Sequence, residues 1–514
     1  MSDDTRVLVV GLDAADFSVV QQLIAARRLP HLDALARNGV SGRLESPADL
    51  FAGGVWPTFY TGRPVASHGV FHNKQWRPNR MRIETPAPAW TSAVPFWESW
   101  DDAGIESLII DVPMVLGRPR PFRGVYLGGW GTHDLMCRGS WPAGLWREVE
   151  HRFGAPVMPR EQYGRQSDAS LSALDATMRR ATLQLRDLAV DALSRHRWRF
   201  ACVVFGALHR AGHYLWDRSQ VEPGTRSRDA PDVVPDALAD LYSSLDEAVG
   251  RLVAHAPART VVVACAVHGM GPNPGWSDLL PDVLLRLEEH RSGRVPRRGA
   301  LYRLKQSLPH HWLRPLLDAL PAEVNDSLLQ LWSRRMFDWR RTRYFPMPMD
   351  QAGYLRINLR GRERQGVVGA GDEYESVCRE VADLVTSLRD EATGAAIAGR
   401  PVWAWRDADP AAACRELLPD LIVPWTGPTA ASTRVLTSAL LPGFRFVVPD
   451  HLPSGRSGNH RGPGWFIAAG PGIAAGVRAP DHDVLDLLPT IRHRLGLAPD
   501  PQLPGRVIRD LAGA

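Results

Sequence analysis

The chain has 514 residues, of which 44% are hydrophobic and 23% charged, and it carries a formal net charge of +5. This is ordinary globular composition. The basic excess is scattered Arg with no long basic tract, which argues against a nucleic-acid partner and leaves a small anionic substrate open. Five widely spaced cysteines (Cys137, Cys202, Cys265, Cys378 and Cys414) form no CxxC pair, which argues against a disulfide framework and against a Cys zinc site. No run reaches the roughly 18–20 apolar residues of a membrane helix. The acidic start "MSDDTRVLVVGLD" lacks the pattern of a secretory signal. A soluble, cytoplasmic protein that does not engage a membrane is expected.

In chain order, "RVLVVGLDAADF" reads as a buried parallel strand ending in Gly-Leu-Asp, followed by a helical pattern over 16–38. "ESLIIDVPM", "FACVVFGALH", "RTVVVACAVHG", "PDLIVPW" and "GWFIAAGPG" are runs of the same kind, with helical stretches such as 170–197 and 236–256 between most of them. Alternation of this type predicts an α/β three-layer sandwich around a mostly parallel central sheet. Residues 280–350 differ, being rich in Leu, Trp, Arg and Pro, and read as part of a mainly helical inserted cap. The expected organisation is a core over 1–279, the cap over 280–415 and the rest of the core over 416–514.

The ordered pieces "VVGLDAADF", "RLPHLDALARNGVSGRLES", "WPTFYTGRPVASHGVF", "HYLW", "VHGMG", "YLRINLRGRERQGVV", "PDLIV", "GNHRGPGWFIAAGPGI" and "DLLPTIRHRLGL" together resemble the alkaline phosphatase superfamily, in its type I phosphodiesterase / nucleotide pyrophosphatase branch. The resemblance implies a two-zinc hydrolytic site, with one metal held by an Asp and two His, the other by two Asp, a His and a nucleophilic Ser or Thr. Two such cations stabilise both the attacking and the leaving oxygen of a phosphoryl group.

Carried over residue by residue, the resemblance places Asp13 and His268 in the second set and His213 and His460 in the first. Three positions depart from it. Trp56, Thr61 and Gly62 set the register of "DLFAGGVWPTFYTG", so the nucleophile position is occupied by Ala52. Val267 stands where the Asp before His268 should be. His209 stands where an Asp should pair with His213, and "HRAGH" puts two imidazoles four residues apart, on one face of a helix. With His460 they suggest a three-His site for one zinc, while the second site keeps only Asp13 and His268.

The expectation is therefore a metal-dependent hydrolase of phosphoester or related ester bonds that uses metal-bound water in place of a Ser/Thr nucleophile, with Asp13 and His268 as catalytic groups or weak ligands. Asn73, Lys74 and His133 are candidate contacts to a small anionic or ester substrate, and Asp49 and Asp134 are nearby carboxylates that could complete the site. Two rivals remain open: an inactive pseudo-phosphodiesterase that binds a phosphorylated ligand or a protein, and a biosynthetic enzyme that uses the metal as a Lewis acid for other chemistry.

Overall fold

The computed structural model describes residues 5–100, 103–117, 120–131, 136, 138–158, 164–221, 233–293, 337–348 and 351–513. They divide into two compact units: residues 1–73, 87–273 and 456–514 form the first, and residues 74–86 and 274–455 the second. The second unit runs past the 280–415 segment expected for the cap and also takes in 74–86.

The first unit is built on a ten-stranded sheet. At its centre the strand Arg6–Leu12 lies between Phe200–Phe205 and Thr260–Ala266, parallel to both. All three are nearly continuous Val, Ala, Leu and Phe, as strands covered on both faces must be. Ser107–Ile110 and Gly124–Gly128 extend the parallel set on one side. On the other side Gly464–Ala469 runs antiparallel between Thr260–Ala266 and Val40–Glu45. Two apolar clusters cover the sheet, one on each face. One packs the long helices Asp168–Arg195 and Val233–His255, and the other the helices Val55–Thr61 and Leu487–Arg494. Cys202 and Cys265 are buried thiols in this sheet.

The helical pattern over 16–38 is two helices, Phe17–Ala25 and Pro30–Arg37. Arg27 turns between them at a φ of 59°, and Pro30 starts the second where its missing N–H costs nothing. "PDLIVPW" forms a strand, Leu421–Val423, but in the second unit, antiparallel to Gly353–Ile357. Strand propensity is local; the sheet a strand joins is decided by tertiary pairing.

The second unit has its own core, in which the helices Trp276–Ser292 and Asp372–Thr386 pack on two three-stranded sheets. Its described residues thus hold strands as well as helices, and 294–336 lies outside the described residues. In "LRINLRGRE", residues 355–363, Arg356 and Asn358 alternate with apolar residues and face inward. Arg356 is fully buried, its Nε 2.6 Å from Glu363 Oε1. Arg362 pairs with Glu363 and Asp420. Arg356 therefore holds the unit's interior together and is engaged by protein groups.

Candidate active site

The three central strands deliver side chains to one place at their carboxyl ends, where open α/β sheets collect ligands. Leu12 pairs with Phe205, and the next amide, Asp13 N, donates to Phe205 O at 3.0 Å. Asp13 is thereby set beside the helix Ala207–Leu215, which begins two residues after Phe205 and carries His209 and His213. The strand Thr260–Ala266 ends just before His268, and the short strand Gly269–Pro272 that follows runs antiparallel to Gly458–Arg461, which pairs Met270 with His460. The Gly458–Arg461 strand approaches the helix very closely. A Cβ on Gly458 would fall 2.1 Å from Gly212 O, so only glycine allows the contact. Ser457 N donates to His213 O at 2.8 Å across the same seam.

The result is a buried cluster of four imidazoles and one carboxylate. His460 lies 4.5 Å from His209, 4.8 Å from His213 and 4.9 Å from His268, measured between ring centroids. Two groups among the described residues could hold a metal ion: His209 with His213 and His460, and Asp13 with His209 and His268. They share His209.

Asp13 is the hub. Its Oδ2 lies 2.7 Å from His209 Nδ1, while Oδ1 accepts from Trp56 Nε1 at 2.7 Å and lies 3.1 Å from His268 Nε2. Burial alone would raise its carboxyl, but the His209 and His268 imidazoles outweigh that and hold Asp13 well below the usual carboxylate range. An ionised carboxylate only accepts, so His209 carries a proton on Nδ1, and Nε2 is the nitrogen through which it would meet a metal. Carboxylate–imidazole pairing of this kind orients a metal-ligating histidine.

His213 is set in the same tautomer by another partner, since its Nδ1 donates to Gly458 O at 3.0 Å. Its Nε2 is buried and has no hydrogen-bond partner. Burial pushes the imidazole well below its ordinary pKa, and Arg456, His460 and His209 push it the same way, so Nε2 is an unprotonated lone pair. An unsatisfied buried polar atom costs about 1–3 kcal/mol. A cation between Nε2 of His213 and its imidazole neighbours would remove that cost, and three neutral imidazoles suit zinc. The residues fit one divalent metal there.

His268 differs. Its Nδ1 faces Gly269 O at 3.0 Å and its Nε2 faces Asp13 Oδ1. The ionised Asp13 carboxylate can only accept, so His268 carries a proton on Nε2.

The stretch around Ala52 sits in a short turn, Ala52–Gly54, leading into the helix Val55–Thr61. Thr58 supplies no substitute nucleophile. It is buried, its Oγ1 donates to Gly54 O at 2.8 Å, and His68 Nε2 lies 3.1 Å away. His68 Nδ1 accepts from Val70 N at 3.1 Å, so Nε2 carries the proton and cannot act as a base toward Thr58. Burial depresses His68 to about 3, against an ordinary value of 6.5. The unfolded chain takes up that proton near 6.5 and the folded one does not, so stability is full above 6.5 and falls as the pH drops toward 3. We expect a His68→Gln variant to lose less melting temperature than the wild type over that window; parallel slopes would show that His68 is not held neutral.

Asp49 Oδ1 accepts from Gly462 N at 2.9 Å, which ties it to the loop after His460. Asn73 is exposed, and Lys74, in the second unit, donates to Thr85 Oγ1 at 2.7 Å. His133 and Asp134 lie outside the described residues. Two residues escaped the sequence reading. Trp56 served there only to set a register, yet it donates directly to Asp13. Arg456 presses on the protonation of His213, and the only hint of it is its place in "RSGNHRGP".

The profile of type I phosphodiesterases / nucleotide pyrophosphatases matches residues 7–424. The chain belongs to this family. Among solved structures it is similar to human ectonucleotide pyrophosphatase / phosphodiesterase 5, with a TM-score of 0.50 and 12% identity over 97% of this chain and 96% of that one. The same values hold for an inactive form of the murine protein in complex with AMP. Phosphonoacetate hydrolase from Sinorhizobium meliloti 1021 aligns at 14% identity and a TM-score of 0.47, covering 96% of this chain and 95% of that chain. At these identities the likeness is one of fold. No curated protein sequence matches. No helix among the described residues is long and apolar enough to cross a membrane. Within the family frame, His209 takes an expected Asp position and is itself bonded to Asp13, while Ala52 and Val267 offer no donor atom.

Proposed function

We propose that this member of the family is a metal-dependent hydrolase of phosphoester or phosphoanhydride bonds that forms no covalent phospho-enzyme. The observation that carries the reading is the buried, partnerless Nε2 of His213, set among imidazoles of which His209 is oriented by Asp13. His209, His213 and His460 would hold one divalent cation, zinc by ligand type. When bound, that cation supplies a Lewis acid for a phosphoryl oxygen and lowers the pKa of a water toward neutrality.

The protein's own groups supply the rest. Asp13 accepts from His209 Nδ1 and so fixes the orientation of that ring. Trp56 restrains the same carboxylate through Oδ1. His268 holds a proton on Nε2 against Asp13, where it can be given to a leaving oxygen as general acid. Arg456 adds positive charge beside His213 and favours an anionic substrate.

Ala52 closes the covalent route, which yields a discriminating experiment. Turnover of an aryl phosphodiester by zinc-loaded protein is expected to be unchanged in Ala52→Ser, because attack does not pass through that position. A gain of about tenfold or more would mean that the site is the ordinary covalent one lacking only its hydroxyl.

A further inference from the structure

The second unit contains a cavity of about 810 Å³ lined by Arg80, Met81, Arg340, Arg364, Gln365, Gly366 and Val367. We propose that it binds a small oligophosphate anion, on residues that share nothing with the histidine cluster.

Charge is the first argument. Arg80, Arg340 and Arg364 all reach the cavity and are exposed. The hairpin that carries Arg80 has one carboxylate, Glu84, against three guanidinia: Arg77 at 3.6 Å, Arg80 at 3.2 Å, and Arg82. Arg340 and Arg364 have no carboxylate within ion-pair distance among the described residues. Guanidinia gathered with so little counter-charge repel one another, and that arrangement is relieved by a multivalent anion. Arg is the side chain suited to phosphate, because its planar fork donates two parallel hydrogen bonds.

Rigidity is the second argument. The segments that present these arginines are tied together by one fully buried side chain, Asn358. Its Nδ2 lies 3.0 Å from Trp339 O, 2.9 Å from Thr342 O and 3.0 Å from Gln365 O, and the backbone carbonyl of the same residue accepts from Val367 N and Val368 N. Arg364 N donates to Pro78 O at 3.3 Å, which joins the hairpin turn to the same frame. Trp76 of the hairpin packs on Trp339 and Phe345 at 5.3 and 4.8 Å between ring centroids. Solvated surface arginines do not require such a scaffold, whereas a site that must hold three guanidinia at set positions does.

Size is the third argument. The volume lies in the roughly 300–1,000 Å³ range of small-molecule sites, which favours a compact oligophosphate over a nucleic-acid strand.

The test is calorimetric titration of the full chain with inorganic triphosphate in the presence of EDTA, which keeps the histidine cluster free of metal. We expect saturable binding that weakens as NaCl is raised. Arg340→Ala/Arg364→Ala is expected to weaken it by about tenfold or more, since each substitution removes charge-assisted hydrogen bonds. Its melting temperature should be unchanged, because both side chains are exposed. Arg340→Glu/Arg364→Glu should abolish binding. His213→Ala should bind triphosphate like the wild type, which separates this site from the proposed metal centre. Equal binding by the double variants and the wild type would overturn the proposal, as would loss of binding in His213→Ala alone. Tight binding of a single-stranded oligonucleotide with none of triphosphate would also overturn it.

Discussion

Asp13→Asn is expected to lower the melting temperature and to weaken metal binding about 10–100-fold, the usual cost of removing a carboxylate that orients a ligating histidine. The volume is almost unchanged, so the loss isolates charge and hydrogen bonding. The wild-type carboxylate faces three nitrogens, His209 Nδ1, His268 Nε2 and Trp56 Nε1. An amide presents one acceptor and one donor in place of two acceptors, so at least one buried donor loses its partner, at about 1–3 kcal/mol. His209 is then free to take the other tautomer, which turns a proton toward the metal. Thermal melts and zinc titration of the two proteins would measure both effects. Asp13→Asn with wild-type zinc affinity would show that His209 needs no carboxylate to orient it.

His213→Ala is expected to abolish metal-dependent stabilisation altogether. For the wild type, a metal at about 1,000 times its Kd adds about 4 kcal/mol to folding stability, because the folded state gathers ligands that the unfolded chain holds apart. Two of those ligands come from one helix, Ala207–Leu215, and the third from Gly458–Arg461, more than two hundred residues later. Removing His213 leaves two imidazoles, too few for a structural or catalytic zinc site. The metal-free variant escapes part of the usual penalty of a buried truncation, because the partnerless Nε2 goes with the side chain. Melting curves with and without zinc should therefore coincide for His213→Ala and separate widely for the wild type. A metal shift that survives the substitution would place the cation at the Asp13, His209 and His268 group instead.

The parallel core was legible because its signal is local. Runs such as "RVLVVGL" and "FACVVF" are apolar throughout, and only strands covered on both faces need to be. His209 and His213 could be paired from the 3.6-residue period of a helix alone. What the sequence hid was set by contacts across long separations. Nothing in "WPTFYTG" says that the Trp56 indole reaches Asp13, since that follows from how Val55–Thr61 packs on the sheet. "PDLIVPW" reads as one more core strand, and only its pairing with Gly353–Ile357 assigns it to the second unit. Arg356 and Asn358 alternate with apolar residues along their strand, a pattern that alone does not say what they meet. Both are fully buried, Arg356 by pairing with Glu363 and Asn358 by bracing three carbonyls. The arginine-lined cavity draws on three separate segments of the chain, so no window of sequence displays it.

We propose that three histidines, and not the family's two-metal set, hold the metal. Elemental analysis of protein purified without added metal, beside His213→Ala and His268→Ala prepared in the same way, tests it most directly. About one zinc per chain is expected in the wild type, close to none in His213→Ala and nearly full occupancy in His268→Ala. Two metals per chain, or a metal lost in His268→Ala and kept in His213→Ala, would contradict it, and no bound metal under any condition would leave a fold that binds without turning over.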